Sequence, residues 1–368
     1  MSAPASTTSA PAGTVRPQYA EHEVTAADAP LLQPDRLAQR PPPSAFSASL
    51  TGHRSRWPTF AIVKVVIAGG SGALGRRLCE DLEAEGHDVV VLTRRVRPGP
   101  FRQVEWDGRT VEAWSVELEG SAVVNLAGEL VDRRPTAANV DLLTRSRVEP
   151  TRALVEASAT LAEPVPVWVQ ASTLAIYGDA GDHVLDESAP PADGPPQMAG
   201  VAKAWEAAVS GAKAECLVTL RTGIVLDNDT PALDRLWSLA RWGLGGRVGA
   251  GSQWVSWIHI EDWLAIIRQF LLPGGPAMTG IVHATGPHPV RNADLMAALR
   301  RSLRRPPAPP TPKVLVRMGA VVLRTDPALA LTGRRAVPAR LLNAGFDFRH
   351  PDLDEALADL RARHQAAD

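Results

Sequence analysis

Lys64–Arg95 reads KVVIAGGSGALGRRLCEDLEAEGHDVVVLTRR. Val65 to Ala68 is a short apolar run of the kind that a parallel strand buries on both faces. Gly69, Gly70, Gly72 and Gly75 follow at once. Leu74, Leu78 and Leu82 then recur every four residues and lay an apolar stripe along one helix face. Gly86 stands where helices commonly stop. Val89 to Leu92 is a second apolar strand. Strand, glycine turn, helix and strand make a βαβ unit.

The glycines divide three tasks between them. One lets the turn take a positive φ, one lets backbone approach a pyrophosphate, and one lets helix and strand pack closely. The helix N-terminus then offers unpaired N–H groups and a partial positive charge to phosphate. A bound dinucleotide is the expectation, with a plain glycine-rich turn as the alternative. At the end of the second strand a carboxylate would favour NAD. This chain has Thr93-Arg94-Arg95 there, and two guanidinium groups suit a 2′-phosphate. The expected cofactor is therefore NADP(H), unless the two arginines are simply solvated.

The 368 residues suffice for one large α/β domain with an added lobe. A net charge of −1 gives no overall attraction to nucleic acid or acidic lipid. Cys79 and Cys216 are too few and too far apart for a metal motif and are expected to be reduced thiols in a cytoplasmic protein, with no metal bound. No stretch approaches the ~20 apolar residues of a membrane span. Residues 1–60, rich in Pro, Ala, Ser and Thr, are expected to form a disordered extension.

Further along, apolar runs at 104–106, 122–126, 165–171, 217–220 and 280–284 read as strands, and 141–161, 201–214, 231–242 and 292–303 as helices. Pro150 should start or kink the helix that contains it. The alternation predicts an α/β fold with a doubly wound parallel sheet, ligand binding beyond the strand C-termini, and a smaller C-terminal substrate lobe. The expected division is a dinucleotide-binding domain over 64–226, its sheet completed by later segments to about 290. A substrate lobe over 227–312 interleaves with it, and a terminal segment covers 313–360.

Gly69-x-x-Gly72-x-x-Gly75 resembles the TGxxGxxG pattern of extended short-chain dehydrogenase/reductases (SDRs), with Ala68 in place of the threonine. Other runs narrow the resemblance. They are Asn125-Leu126-Ala127-Gly128, Ser146 to Arg152 (SRVEPTR), Leu220 to Leu226 (LRTGIVL), Trp254 to Asp262 (WVSWIHIED), and Arg340 to Phe346 with Arg349 to Leu353. Together they are similar to an atypical extended SDR group, nucleoside-diphosphate-sugar epimerase-like, with a short C-terminal domain of unknown function, DUF1731. The resemblance spans about residues 64 to 360.

That resemblance implies roles position by position. Gly69, Gly70, Ser71, Gly72, Ala73, Leu74 and Gly75 would hold the pyrophosphate, and Arg94 with Arg95 the 2′-phosphate. Asp107 would meet the adenine. Leu126, Ala127 and Gly128 would line the adenosine and ribose side. Ser172 and Thr173 would face the nicotinamide, with Arg221, Thr222 and Gly223 near it. Arg247, Gln253, Trp254, Trp257 and His259 could line a pocket for a small molecule, since indoles and a guanidinium suit an aromatic or anionic ligand. For His259 a structural hydrogen bond is the competing role.

SDR hydride transfer ordinarily uses Tyr-x-x-x-Lys, an acid held near its operating pKa over the nicotinamide. The chain has two tyrosines, Tyr19 and Tyr177, followed four residues later by Glu23 and Gly181. With Glu206 as the anchor, Met198 takes the tyrosine's place and Ala202 the lysine's, while Lys203 is one position off. Ser172, Thr173 and Tyr177 remain as candidate catalytic groups. The expected function is NADP(H)-linked oxidoreductase or epimerase-type chemistry on a small molecule. The rival is a protein that binds NADP(H) as a sensor without turnover.

Overall fold

The computed structural model describes residues 63–228, 230–271 and 278–367. The expected extension over 1–60 lies outside them. Seven strands form one parallel sheet: β1 (Lys64–Ala68), β2 (Asp88–Thr93), β3 (Arg102–Glu105), β4 (Ala122–Asn125), β5 (Val165–Thr173), β6 (Ala214–Thr222) and β7 (Gly280–Ala284). Their order is β7-β6-β5-β4-β1-β2-β3. The reversal beside β1 places the glycine turn and the end of β4 at the switch point where such sheets bind ligands.

The two-residue period of β1 explains its apolar run. Val65 and Ile67 enter one core and Val66 and Ala68 the other. On the first face lie α1 (Ala73–Ala84), α4 (Pro231–Arg241), α5 (Ile260–Leu271) and α6 (Asn292–Ser302), through residues such as Leu78, Leu82, Leu233, Trp263 and Leu299. On the second lies α2 (Ala137–Thr160), through Ala153, Leu154 and Ala157, beside Trp106, Trp114 and Leu118. No helix among the described residues is long and apolar enough to cross a membrane.

Local chemistry sets several boundaries away from the expected ones. α2 runs without a break through Pro150, which is inside it, and the Thr151 hydroxyl donates to the Arg147 carbonyl at 2.7 Å. α3 spans Val201–Ala208 and so ends well before residue 214. Ser172 and Thr173 are the last residues of β5, paired with Arg221 and Thr222 of β6, and not a loop beyond the strand. After a proline-rich stretch over 306–312 comes an unanticipated helix, α7 (Lys313–Leu323), then short α8 (Ala328–Leu331), α9 (Ala339–Asn343) and α10 (Leu353–Ala367). Leu353, Leu357 and Leu360 of α10 pack into the first core, so the terminal segment shares the sheet's own interior.

Candidate active site

The glycine turn is built as a dinucleotide requires. Gly69 has φ of +85°, a conformation that L side chains avoid, and a Cβ there would lie 2.8 Å from the Leu126 carbonyl. A Cβ on Gly75 would stand 2.2 Å from the Gly69 oxygen, so helix and turn touch only because it is absent. Ser71 and Gly72 are exposed, and no side chain caps α1. First-turn N–H groups have no intrahelical acceptor. An uncapped helix start behind an open turn therefore fits a pyrophosphate.

Arg94 and Arg95 lie just past β2, both exposed. Among the described residues Arg94 reaches only Glu129, at 3.6 Å, so its exposed guanidinium is open to another anion. Asp107 is exposed, but its carboxylate accepts from the Arg109 and Thr110 amides at 2.7 and 2.8 Å and from the Thr110 hydroxyl. The Thr110 amide first, then that of Arg109, holds its pKa below the ordinary value. Its own loop thus fixes the orientation of the group expected to meet adenine.

The Leu126-Ala127-Gly128 loop is pinned from beneath. Buried Asn125 accepts from the Ala127 amide and donates to Thr151 and Gln170. Buried Arg147 donates to the carbonyls of Leu143 and Glu129. Burial draws its pKa down to about 10. A Cβ on Gly128 would meet its guanidinium at 3.0 Å, so glycine is what lets the loop lie against this cation.

At the ends of β5 and β6 the polar side chains are committed to one another. The Ser172 hydroxyl donates to Glu206 Oε1. Arg221 donates from Nε and Nη2 to Glu206 Oε1 and Oε2, both at 2.8 Å, and from Nη1 to the Tyr177 oxygen at 2.6 Å. Burial opposes the Arg221 charge, but Glu206 outweighs it and the pKa rises. The Val337 carbonyl can only accept, so His283 Nδ1, 3.0 Å away, carries a proton. His283 Nε2 then accepts from the Tyr177 hydroxyl at 2.7 Å. The phenol proton faces a buried imidazole, and burial raises the Tyr177 pKa. Thr173 differs. Its Oγ1 accepts from the Ala175 amide, while its own proton has no protein acceptor among the described residues. Thr222 accepts from the Trp263 indole, and a Cβ on Gly223 would lie 2.7 Å from the Ser256 carbonyl oxygen.

Met198 and Ala202 are both buried, on the helical stretch that begins at Pro196. Lys203 approaches Asp193 at 4.0 Å.

The five candidate pocket residues separate. Arg247 is exposed, and Gln253 donates to the Ala330 carbonyl. Trp254 lies between the guanidinium groups of Arg291 and Arg335, with its indole N–H on Asp182. Trp257 and His259 are fully buried in the structure's core, where a ligand has no access. The Trp257 indole donates to the His288 carbonyl. His259 stacks on His350 at 3.9 Å and lies 3.2 Å from Asp359. These three groups have metal-like spacing. However, His259 Nδ1 accepts the Glu261 amide at 3.2 Å, so neutral His259 turns an N–H, not a lone pair, toward Asp359.

Sequence reasoning used Glu206 only as an alignment anchor and missed His283, Arg147 and Arg334. Arg147 falls within the SRVEPTR run, which was a usable signal; His283 and Arg334 carry none.

Comparison with known proteins identifies the family and the fold. Residues 65–204 match the NAD dependent epimerase/dehydratase family, and residues 311–360 match a domain of unknown function, DUF1731. The chain is 37% identical over 301 residues to epimerase family protein Mb2239 of Mycobacterium bovis, covering 80% of this chain and 96% of that protein. It is 33% identical over 305 residues to epimerase family protein SDR39U1 of Bos taurus, covering 82% and 100%. Its fold is similar to a crystal structure of human SDR39U1 (isoform 2) with NADPH, at a TM-score of 0.71 and 28% identity, over 82% of this chain and 99% of that one. The seven-stranded parallel sheet with flanking helices is thus a Rossmann-like, NAD(P)-binding fold. The chain belongs to the epimerase family, in the group that joins an NAD dependent epimerase/dehydratase domain to DUF1731.

Proposed function

We propose that this chain is an atypical extended SDR that binds NADP(H) and carries out oxidoreductase or epimerase-type chemistry on a small molecule without the Tyr-x-x-x-Lys pair. The observation that carries the reading is the uncapped start of α1 behind the open glycine turn, with Arg94 and Arg95 exposed just beyond β2. The human relative solved with NADPH supports the choice of cofactor. Gly69 to Gly75 would hold the pyrophosphate and Arg94 the 2′-phosphate. Bound NADPH supplies hydride.

Thr173 is the hydroxyl free to donate to a substrate carbonyl, because Ser172 and Tyr177 are committed to Glu206 and His283. Glu206 and Arg221 fix the end of β6 against α3 and so hold the strand that pairs with Thr173. A cytoplasmic location goes with this reading.

The test is NADPH consumption against a library of carbonyl compounds. Turnover that falls at least ~10-fold in Thr173→Val, with NADPH affinity kept, supports the enzyme. The second reading, a sensor that binds NADP(H) without turnover, is favoured by Met198 and Ala202 at the catalytic positions. Tight NADPH binding with no turnover across the library would establish it instead.

A further inference from the structure

Arg334 belongs to the DUF1731 segment, and its backbone is fixed on both sides. Its amide donates to the Trp254 carbonyl at 3.0 Å, and its carbonyl accepts from the Ser256 hydroxyl at 2.9 Å. The preceding Gly333 donates to Asp179 Oδ1 at 2.9 Å, and its carbonyl accepts from the Ala180 amide at 3.0 Å. A Cβ on Gly333 would stand 2.4 Å from the Trp254 nitrogen, so the segment sits as close to that loop as backbone allows.

Among the described residues, the side chain so positioned lacks a paired counter-ion. Nη2 is shared between the Met198 sulfur at 3.3 Å and the Thr332 hydroxyl at 3.0 Å. Nε is sealed from solvent and has no partner. No carboxylate forms an ion pair with Arg334 among the described residues. Asp179 is near enough to act through its field, but its Oδ1 is taken by Gly333. Arg147 shows the contrast: it is more deeply buried than half-buried Arg334, yet its donors reach carbonyl oxygens. Burial draws the Arg334 pKa down to about 10. A half-buried guanidinium whose hydrogen-bond partners among the described residues are a thioether and a hydroxyl is an unfavourable arrangement in the free protein.

We infer that Arg334 is an anion-binding residue of the substrate cleft, contributed by the DUF1731 segment beside Met198, and that it takes a carboxylate or phosphate group of the substrate. The inference deepens the proposed function and rests on it for the word substrate, because Met198 stands where the SDR tyrosine would be. Guanidinium pairs with either oxyanion through parallel N–H donors. A backbone held at both ends supplies the preorganisation that such a subsite needs.

The experiment is a thermal-shift titration of NADPH-saturated protein with inorganic phosphate and, separately, malonate, at constant ionic strength set by chloride. NADPH affinity is measured by fluorescence on the same samples. The expected result is a saturable rise in Tm with one of the two anions, weakened at least ~10-fold in Arg334→Gln while NADPH affinity is kept. The anion that saturates names the substrate group. Arg334→Met runs in parallel and replaces Arg334→Gln as the readout if the latter does not fold. No saturable response to either anion, or one that the variants leave unchanged, overturns the inference. Should NADPH fail to bind, the cofactor reading falls alone, because the same comparison without NADPH still reads Arg334.

Discussion

Arg221 and Glu206 meet fork to fork, with Nε on Oε1 and Nη2 on Oε2, each at 2.8 Å. The Arg221 side chain is only 2% exposed. The pair ties the last turns of α3 to the end of β6, and Ser172 and Tyr177 hang their polar atoms on it. Breaking it leaves an uncompensated buried charge. Glu206→Gln is expected to destabilise the fold by about 3–5 kcal/mol. Urea denaturation checks this, and a loss under ~1 kcal/mol would mean that the pair does little for stability.

Arg94 is 76% exposed and, among the described residues, held only by Glu129. Arg94→Ala should weaken NADPH by roughly 10- to 100-fold, the worth of one charge-assisted hydrogen-bonding partner, and leave NADH almost unchanged. Fluorescence titration with both nucleotides reads the difference. Equal weakening would remove the 2′-phosphate from this residue.

Two glycines of one turn should respond differently. A Cβ on Gly72 meets only the Gly69 oxygen, at 3.3 Å, and otherwise points into open space. Gly72→Val should therefore keep the fold and abolish NADPH binding by filling the space for phosphate. A Cβ on Gly75 meets the Gly69 oxygen at 2.2 Å and backbone atoms of Gly70 at 2.7 and 2.9 Å. Gly75→Ala should cost stability as well, about 1–3 kcal/mol. Circular dichroism melts beside binding assays separate the two. A Gly72→Val protein that binds NADPH normally would contradict the phosphate role.

His259 is fully buried, and burial first, then His350, lowers its pKa from 6.5 to about 4. Asp359 and Glu261 act in the opposite sense, and Arg363 adds to the lowering. Between those two values the unfolded chain binds the proton and the folded chain does not. His259's contribution is thus whole above pH ~6.5 and is lost as pH falls toward 4, by up to ~1.4 kcal/mol per unit. Denaturation midpoints over that range should fall with acid, and less steeply in His259→Gln. An identical slope in the variant would assign the acid sensitivity to other groups.

How much was legible in advance depended on how far apart the interacting residues lie. The βαβ unit and its glycine turn were read from the 32 residues of Lys64–Arg95, because a two-residue strand period, a four-residue helix stripe and glycines with distinct steric duties are all local signals. Asp107 had the right residue type, but that amides two and three positions away hold its Oδ1 was not legible in the sequence.

The composition and spacing of the chain by themselves determined a βαβ unit, a parallel sheet and the absence of Tyr-x-x-x-Lys. Only the tertiary structure decided what the remaining polar groups can do. Ser172 meets Glu206 across 34 positions, Tyr177 meets Arg221 across 44 and His283 across 106. A buried donor or acceptor must find its partner wherever folding brings one. Its chemistry is therefore set by neighbours distant in sequence, and the same rule leaves Thr173 with a proton to give and Arg334 with a charge to share.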